Sequence, residues 1–302
     1  MSAPSLAARL AEARARAGAL DPAPWRGAVA DVADAYLVQS ELAKLAGGQV
    51  RAWKVTALTA AQQQRYGTNK PVAGALLAPF FHTSPAVVPL AQFVAPLIEC
   101  EVAFLLGRDL PRRAAPYARE EIEASVEAIV PAMEIADCRW PADAPDLLKL
   151  ADDMGNGAFI AGAGVLNWRG IDLAGIEIVL ALEGTLIQSG NAAKVLGDPL
   201  RALEELANAQ PLPAGGLRRG QIVTTGTCTT PVPLRPGRHK CRFRTARRDH
   251  LDGRIDWLRP RLPMAARRRV SRSGISFLPL RPYDRQSPTA GRASPPDLKT
   301  EP

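Results

Sequence analysis

The chain has 302 residues, 47% of them hydrophobic, and a formal net charge of +8. That is enough apolar material for one large or two modest cored domains, and no apolar run reaches the ~18 residues needed to span a bilayer. The charge is uneven: residues 1–237 carry 21 Lys and Arg against 24 Asp and Glu, whereas residues 238–302 carry 17 against 6, so the main body has no basic surplus for nucleic acid.

Residues 1–20, rich in Ala and Arg but interrupted by Glu12, read as an amphipathic helix rather than a secretory leader, with a transit peptide as the alternative. A second helical pattern runs over 26–48, and Gln49 to Ala57 reads as a strand. Thr59 is placed to cap a short helix reaching Arg65. The Pro- and Gly-punctuated stretch 71–96 predicts short strands and turns, followed by an apolar, β-prone strand over 96–106. Arg119 to Val130 has a helical pattern with acids early, which suits the helix dipole, and Glu134 follows on a strand. A short helix is expected at 145–152, strands at 158–166 and 177–182, a helix at 200–209 and a strand at 221–227. Proline-rich extended chain then runs to Gly237. Short strands mixed with a few helices, without a regular βαβ rhythm, give an α+β fold. The four cysteines, Cys100, Cys138, Cys228 and Cys241, have no Cys-x-x-Cys spacing, so reduced thiols and a cytoplasmic location are expected.

The chemistry concentrates in Leu97-Ile98-Glu99-Cys100-Glu101-Val102-Ala103-Phe104. Strand side chains alternate faces, so Glu99 and Glu101 project together. Two ionised carboxylates side by side repel, and burying them is costly. A divalent cation removes both problems, and oxygen-only ligands suit Mg²⁺, Mn²⁺ or Ca²⁺ rather than zinc. The competing reading is a solvated strand edge. Glu134, embedded in Val130-Pro131-Ala132-Met133-Glu134-Ile135-Ala136, is a third acid in apolar surroundings and favours the metal.

The ordered set of motifs resembles the 2-keto-4-pentenoate hydratases of the fumarylacetoacetate hydrolase superfamily over about residues 5–237. It comprises Trp53-Lys54-Val55 with Gln62-Gln63-Gln64, Ile98-Glu99-Cys100-Glu101, Gly107-Arg108-Asp109-Leu110, Pro131-Ala132-Met133-Glu134, Leu150 to Gly157, Ser189-Gly190 with Leu196 to Leu200, and Gly220 to Gly226. The resemblance implies a mixed β-roll core behind an N-terminal helical portion, and Mg²⁺ or Mn²⁺ held by Glu99, Glu101 and Glu134. It implies water addition to a 2-hydroxy-2,4-dienoate, giving a 4-hydroxy-2-oxo acid in aromatic breakdown. The partner is then a small-molecule acid, with neither nucleic acid nor membrane expected; relatives commonly assemble into homo-oligomers.

Lys54 is placed beside the metal-bound head of the substrate, to pair with its carboxylate or to move a proton; otherwise it is a surface lysine. Asp152 is expected to position that lysine or a water, or else to be a turn aspartate. Thr225 and Gly226 are expected to line the pocket or simply to end a strand. Two departures bear on substrate. Pro71-Val72-Ala73-Gly74-Ala75-Leu76 holds no carboxylate where relatives often carry one, and Thr56 replaces a glycine. The body's only histidine, His82, lies outside any hydrolase motif, so C–C bond hydrolysis is disfavoured. A 2-oxo-3-enedioate decarboxylase shares the head chemistry and is the nearest rival; a third reading is a catalytically impaired scaffold with a basic binding tail.

These patterns divide the chain into an N-terminal helical portion (1–70), a metal-binding core (71–237) and a basic tail (238–302). The tail lacks the family's closing strand motif. A one-nucleotide shift of permitted codons restores it, so the tail is expected to be an out-of-frame, disordered extension that leaves a sheet edge unpaired.

Overall fold

The computed structural model describes residues 2–210, 216–245 and 253–256. Two helices open the chain, α1 (Ala3–Ala15) and α2 (Val32–Leu45). Ser2 and Asp31 cap them by accepting from the Ser5 and Asp34 amides, which satisfies backbone donors the helix itself leaves unpaired. Leu6, Leu10 and Ala13 recur at helical spacing on α1 and are buried against Ala35, Val38 and Leu42 of α2. Truncating a buried leucine such as Leu10 to alanine costs about 2–5 kcal/mol.

The strand β1 (Val50–Thr56) comes next, then α3 (Ala60–Gln64), which Thr59 caps as expected, in a capping box with Gln62. After these come β2 (Val72–Leu77), β3 (Phe81–Thr83) and β4 (Leu97–Leu106). The helix expected over 119–130 divides into α4 (Arg119–Ser125) and β5 (Val126–Ala136). From Val126 onward the chain pairs antiparallel with β4 along its length, and that pairing overrides the helical pattern. The remaining elements are α5 (Asp146–Ala151), β6 (Asn156–Ala161), β7 (Glu177–Leu182), β8 (Thr185–Asn191), α6 (Pro199–Ala209), β9 (Ile222–Thr227), β10 (Val232–Pro233), β11 (His239–Arg244) and β12 (Gly253–Asp256).

The main sheet is mixed, in the order β2-β1-β9-β4-β5-β6-β3 with β10 also on β4. The pairs β1/β9 and β3/β6 are parallel and the others antiparallel. A second sheet runs β12-β11-β7-β8. Even-numbered residues of β4, from Ile98 to Leu106, join Ile178, Leu180, Cys241 and Phe243 of the second sheet in the principal core. The opposite face of β4 therefore carries Glu99 and Glu101.

Two sequence boundaries shift. β1, the strand expected over 49–57 inside the N-terminal portion 1–70, stands within the main sheet between β2 and β9 rather than apart from the core. The expected tail also starts too early: His239 to Arg244 pairs antiparallel with β7, and His239, Cys241 and Phe243 are buried. His239-Lys240-Cys241-Arg242-Phe243-Arg244 alternates inward and outward as a half-buried strand requires, so the edge expected to be bare is covered. The basic clusters Arg247-Arg248 and Arg267-Arg268-Arg269 lie outside the described residues. All four cysteines are free thiols.

Candidate metal centre

Glu99 and Glu134 face each other directly across the β4/β5 ladder. Glu101, two residues on, shares the face of Glu99. The three carboxylates each bring an oxygen within 4.8 Å of the others. Glu101 and Glu134 are fully buried, while Glu99 is half-buried and gives the cluster its open side. The solvated-edge reading therefore does not hold for the group.

Burial pushes the Glu101 carboxyl up, and Glu134 and Glu99 push it further, against the pull of Lys54. Burial likewise pushes Glu134 up against Lys54. Glu101 Oε1 and Glu134 Oε2 receive no hydrogen bond among the described residues. Two orphaned, buried carboxylate oxygens beside a third carboxylate are an expensive arrangement for a protein alone. An oxygen-only donor set of this kind fits a hard divalent cation.

The other oxygens are held. Lys54, on β1, donates from Nζ to Glu134 Oε1 at 2.8 Å and to the Met154 carbonyl at 3.3 Å. Burial alone would lower the Lys54 ammonium, but Glu134, Glu99 and Glu101 together raise it, so it stays charged. Asn156 donates from Nδ2 to the same Glu134 oxygen at 3.1 Å. On the other side, the Thr224 hydroxyl donates to Glu101 Oε2, and the Gly226 amide reaches it at 3.4 Å. Thr224 pairs with Lys54 across β1/β9. The β4/β9 register slips between Glu101 and Ala103, and Gly226 there has φ 107°, a conformation open to glycine.

Of the residues expected from sequence, Glu99, Glu101, Glu134 and Lys54 come together, with Gly226 alongside. Thr225 is displaced by one position: its hydroxyl donates to the Val102 carbonyl at 2.8 Å, and Thr224 takes the place at Glu101. Asp152 does not meet Lys54 in any hydrogen bond or ion pair of the described residues. Its carboxylate is taken by Arg139, through Nε at 2.9 Å, through Nη2, and by the Arg139 amide at 3.1 Å. A guanidinium presents a planar fork that a lysine cannot match. Asn156, Thr224 and the Met154 carbonyl are not singled out by the sequence pattern. Alternation from Gly226 is the one signal that points to Thr224.

Behind the site, Asp153, Met154 and Gly155 have φ of 51°, 56° and 67°, three consecutive left-handed residues. This turn lies hard against β2: a Cβ on Gly74 would sit 2.4 Å from the Asp153 carbonyl oxygen. Gly74 is thus what lets the turn approach. His82 stands apart, on β3 at the far edge of the sheet.

Residues 54–246 match the fumarylacetoacetate (FAA) hydrolase C-terminal family. A 2-keto-4-pentenoate hydratase of Burkholderia vietnamiensis is 32% identical over 228 residues, covering 74% of this chain and 86% of that protein. A 4-oxalocrotonate decarboxylase of a Pseudomonas species is 31% identical over 182 residues, 59% of this chain and 68% of that one. A solved structure, 4-oxalocrotonate decarboxylase from Pseudomonas putida G7 complexed with magnesium and adipate, aligns with TM-score 0.73 and 22% identity over 85% of this chain and 96% of that chain.

Proposed function

The chain belongs to the fumarylacetoacetate hydrolase family, among the relatives of the 2-keto-4-pentenoate hydratases, and from that premise we propose that it is a divalent-metal-dependent hydro-lyase acting on a 2-hydroxy-2,4-dienoate. The observation that carries this reading is the convergence of Glu99, Glu101 and Glu134 with two orphaned oxygens beside a charged Lys54. Mg²⁺ or Mn²⁺ is the proposed cofactor, held by those three glutamates; the solved relatives' calcium and magnesium complexes support a hard cation.

When bound, the cation supplies Lewis-acid polarisation of a 2-oxo acid head. Lys54, kept protonated by its three acidic neighbours, offers a donor to the substrate carboxylate or oxo group and can pass a proton on. Net hydration needs two proton placements. The enol proton leaves O2 while C5 gains one; water then gives its oxygen to C4 and a proton to C3. The Thr224 hydroxyl and Gly226 amide fix Glu101, so that face of the site keeps one geometry through both.

Similarity to 4-oxalocrotonate decarboxylases gives the second reading. It shares the metal head and differs at the substrate tail, and the absence of an acid from Pro71 to Leu76 is the departure that bears on this choice. The test is incubation with 2-hydroxypenta-2,4-dienoate and Mg²⁺ or Mn²⁺. Loss of the dienol absorbance without carbon dioxide supports hydration. Carbon dioxide from 4-oxalocrotonate supports decarboxylation, and turnover of neither overturns both.

A further inference from the structure

The left-handed turn behind the metal site is gripped by a residue from the far end of the chain. Arg14, in the last turn of α1, has a side chain only 12% exposed. Its Nη2 donates to the Asn156 carbonyl at 2.6 Å and lies 3.7 Å from Asp153 Oδ2. Its guanidinium stacks on the Phe80 ring, 4.2 Å from the centroid. Asp153 is fully buried and neither carboxylate oxygen accepts a hydrogen bond among the described residues. Among the described residues its ion-pair partner is the Arg14 guanidinium, with Arg139 a weaker favourable charge and Asp152 an opposing one. Arg139 secures the other side, donating to the Asn156 carbonyl at 2.9 Å and to the Asp152 carbonyl at 3.1 Å.

Asp153 and Asn156 flank Met154 and Gly155. Non-glycine residues in the left-handed region cost about 1–2 kcal/mol each, so the turn relaxes unless something over-determines it. Its two outputs point at the site: the Met154 carbonyl accepts from Lys54, and the Asn156 side chain donates to Glu134. We propose that Arg14 is a positioning residue for the metal site: by clasping Asp153 and the Asn156 carbonyl together, it holds the turn that orients Lys54 and Glu134. Arg14 lies outside the matched residues 54–246, so the N-terminal helix is part of the working site. The inference rests on the reading of the three glutamates as metal ligands.

The experiment is Mn²⁺ titration of the full chain, by calorimetry or by loss of the free-ion paramagnetic signal, on wild type, Arg14→Ala, Arg14→Lys and Leu10→Ala. Leu10 is buried on the same helix in the apolar cluster that α1 shares with α2, so Leu10→Ala loosens apolar packing while leaving the Arg14 guanidinium itself in place. Arg14→Ala is expected to weaken Mn²⁺ binding about tenfold or more, the usual effect of losing an outer support of a metal ligand. Added guanidinium ion should restore part of that loss. Leu10→Ala is expected to melt earlier with Mn²⁺ affinity unchanged. If Arg14→Ala fails to fold, Arg14→Lys carries the test: it keeps the charge but not the planar guanidinium stacked on Phe80 that aims Nη2 at both oxygens, and its affinity should fall several-fold. Wild-type affinity in the Arg14 variants, or an equal loss in Leu10→Ala, overturns the inference alone. Wild-type protein that binds no Mn²⁺ overturns the metal site and this inference with it.

Discussion

Lys54 and Glu134 form a buried ion pair, Nζ to Oε1 at 2.8 Å, immediately beside the orphaned Oε2 of the same glutamate. One carboxylate thus holds a cationic side chain with one oxygen and leaves the other without a hydrogen bond among the described residues. The lysine and a bound metal repel, so their effects can be separated. Lys54→Met should lower turnover about 10²- to 10⁴-fold, as expected for a proton-transfer group, while Mn²⁺ affinity stays equal or rises. Steady-state assay and calorimetric titration check this; parallel loss of both would reduce Lys54 to scaffolding.

Glu101→Gln should abolish metal-dependent turnover and yet stabilise the metal-free protein. It replaces a carboxyl that, fully buried beside two other carboxylates, must either take up a proton or carry an unfavourable charge, with an amide that does neither. Relief of about 1–3 kcal/mol is expected, because a buried charge without its counter-ion is destabilising. Thermal denaturation in a chelator, alongside the assay, measures both effects; unchanged activity would remove Glu101 from the site.

The same repulsion makes stability depend on metal and pH. Glu101 is raised in the folded state. Its protonation therefore favours folding fully below the unfolded value near 4.5, and that contribution is lost as pH rises through the folded value. Metal-free protein should lose stability toward alkaline pH, and saturating Mn²⁺ should reverse the loss. At a hundredfold excess over Kd the gain is about 2.7 kcal/mol. Melting curves with and without chelator across pH 5–9 decide it, and identical curves would count against a metal at this position.

His239 works in the opposite direction. It is buried on β11, and burial pushes its imidazole down to about 4. The unfolded chain takes up a proton near 6.5 while the folded chain does not. Stability is therefore full above 6.5 and falls as pH drops toward 4, by up to about 3 kcal/mol. Urea titrations at several pH values should show that slope in the wild type and a shallower one in His239→Leu.

Asp152→Asn should be a folding variant. The Asp152–Arg139 pair is about 1% exposed on both sides, and breaking a buried pair from one side costs about 3–5 kcal/mol. The folded fraction should still bind Mn²⁺. Denaturant unfolding and titration together distinguish this from a direct catalytic role, in which turnover falls while stability holds.

The carboxylate triad is legible in the sequence because it obeys local rules. Glu99 and Glu101 share a face by alternation alone, and Glu134 stands out as an acid among apolar residues. The surroundings of the triad depend on partners far along the chain. Thr224 reaches Glu101 only through a register slip between β4 and β9. Asp152 is drawn to Arg139 by a pairing that no spacing announces. Helix α4 stops at Ser125 because β4 supplies a strand partner for Val126 and the residues after it. The strand His239–Arg244 is masked by its charged outward residues, although its inward ones alternate correctly.

The two faces of β4 answer to different forms of selection. In a saturation library over residues 97–106, substitutions at Ile98, Cys100, Val102, Phe104 and Leu106 should deplete the yield of soluble protein. Those at Glu99 and Glu101 should instead give well-expressed, inactive clones. A genotype map of this one strand would alternate, position by position, between variants that growth can rescue with a chaperone and variants that no chaperone can help.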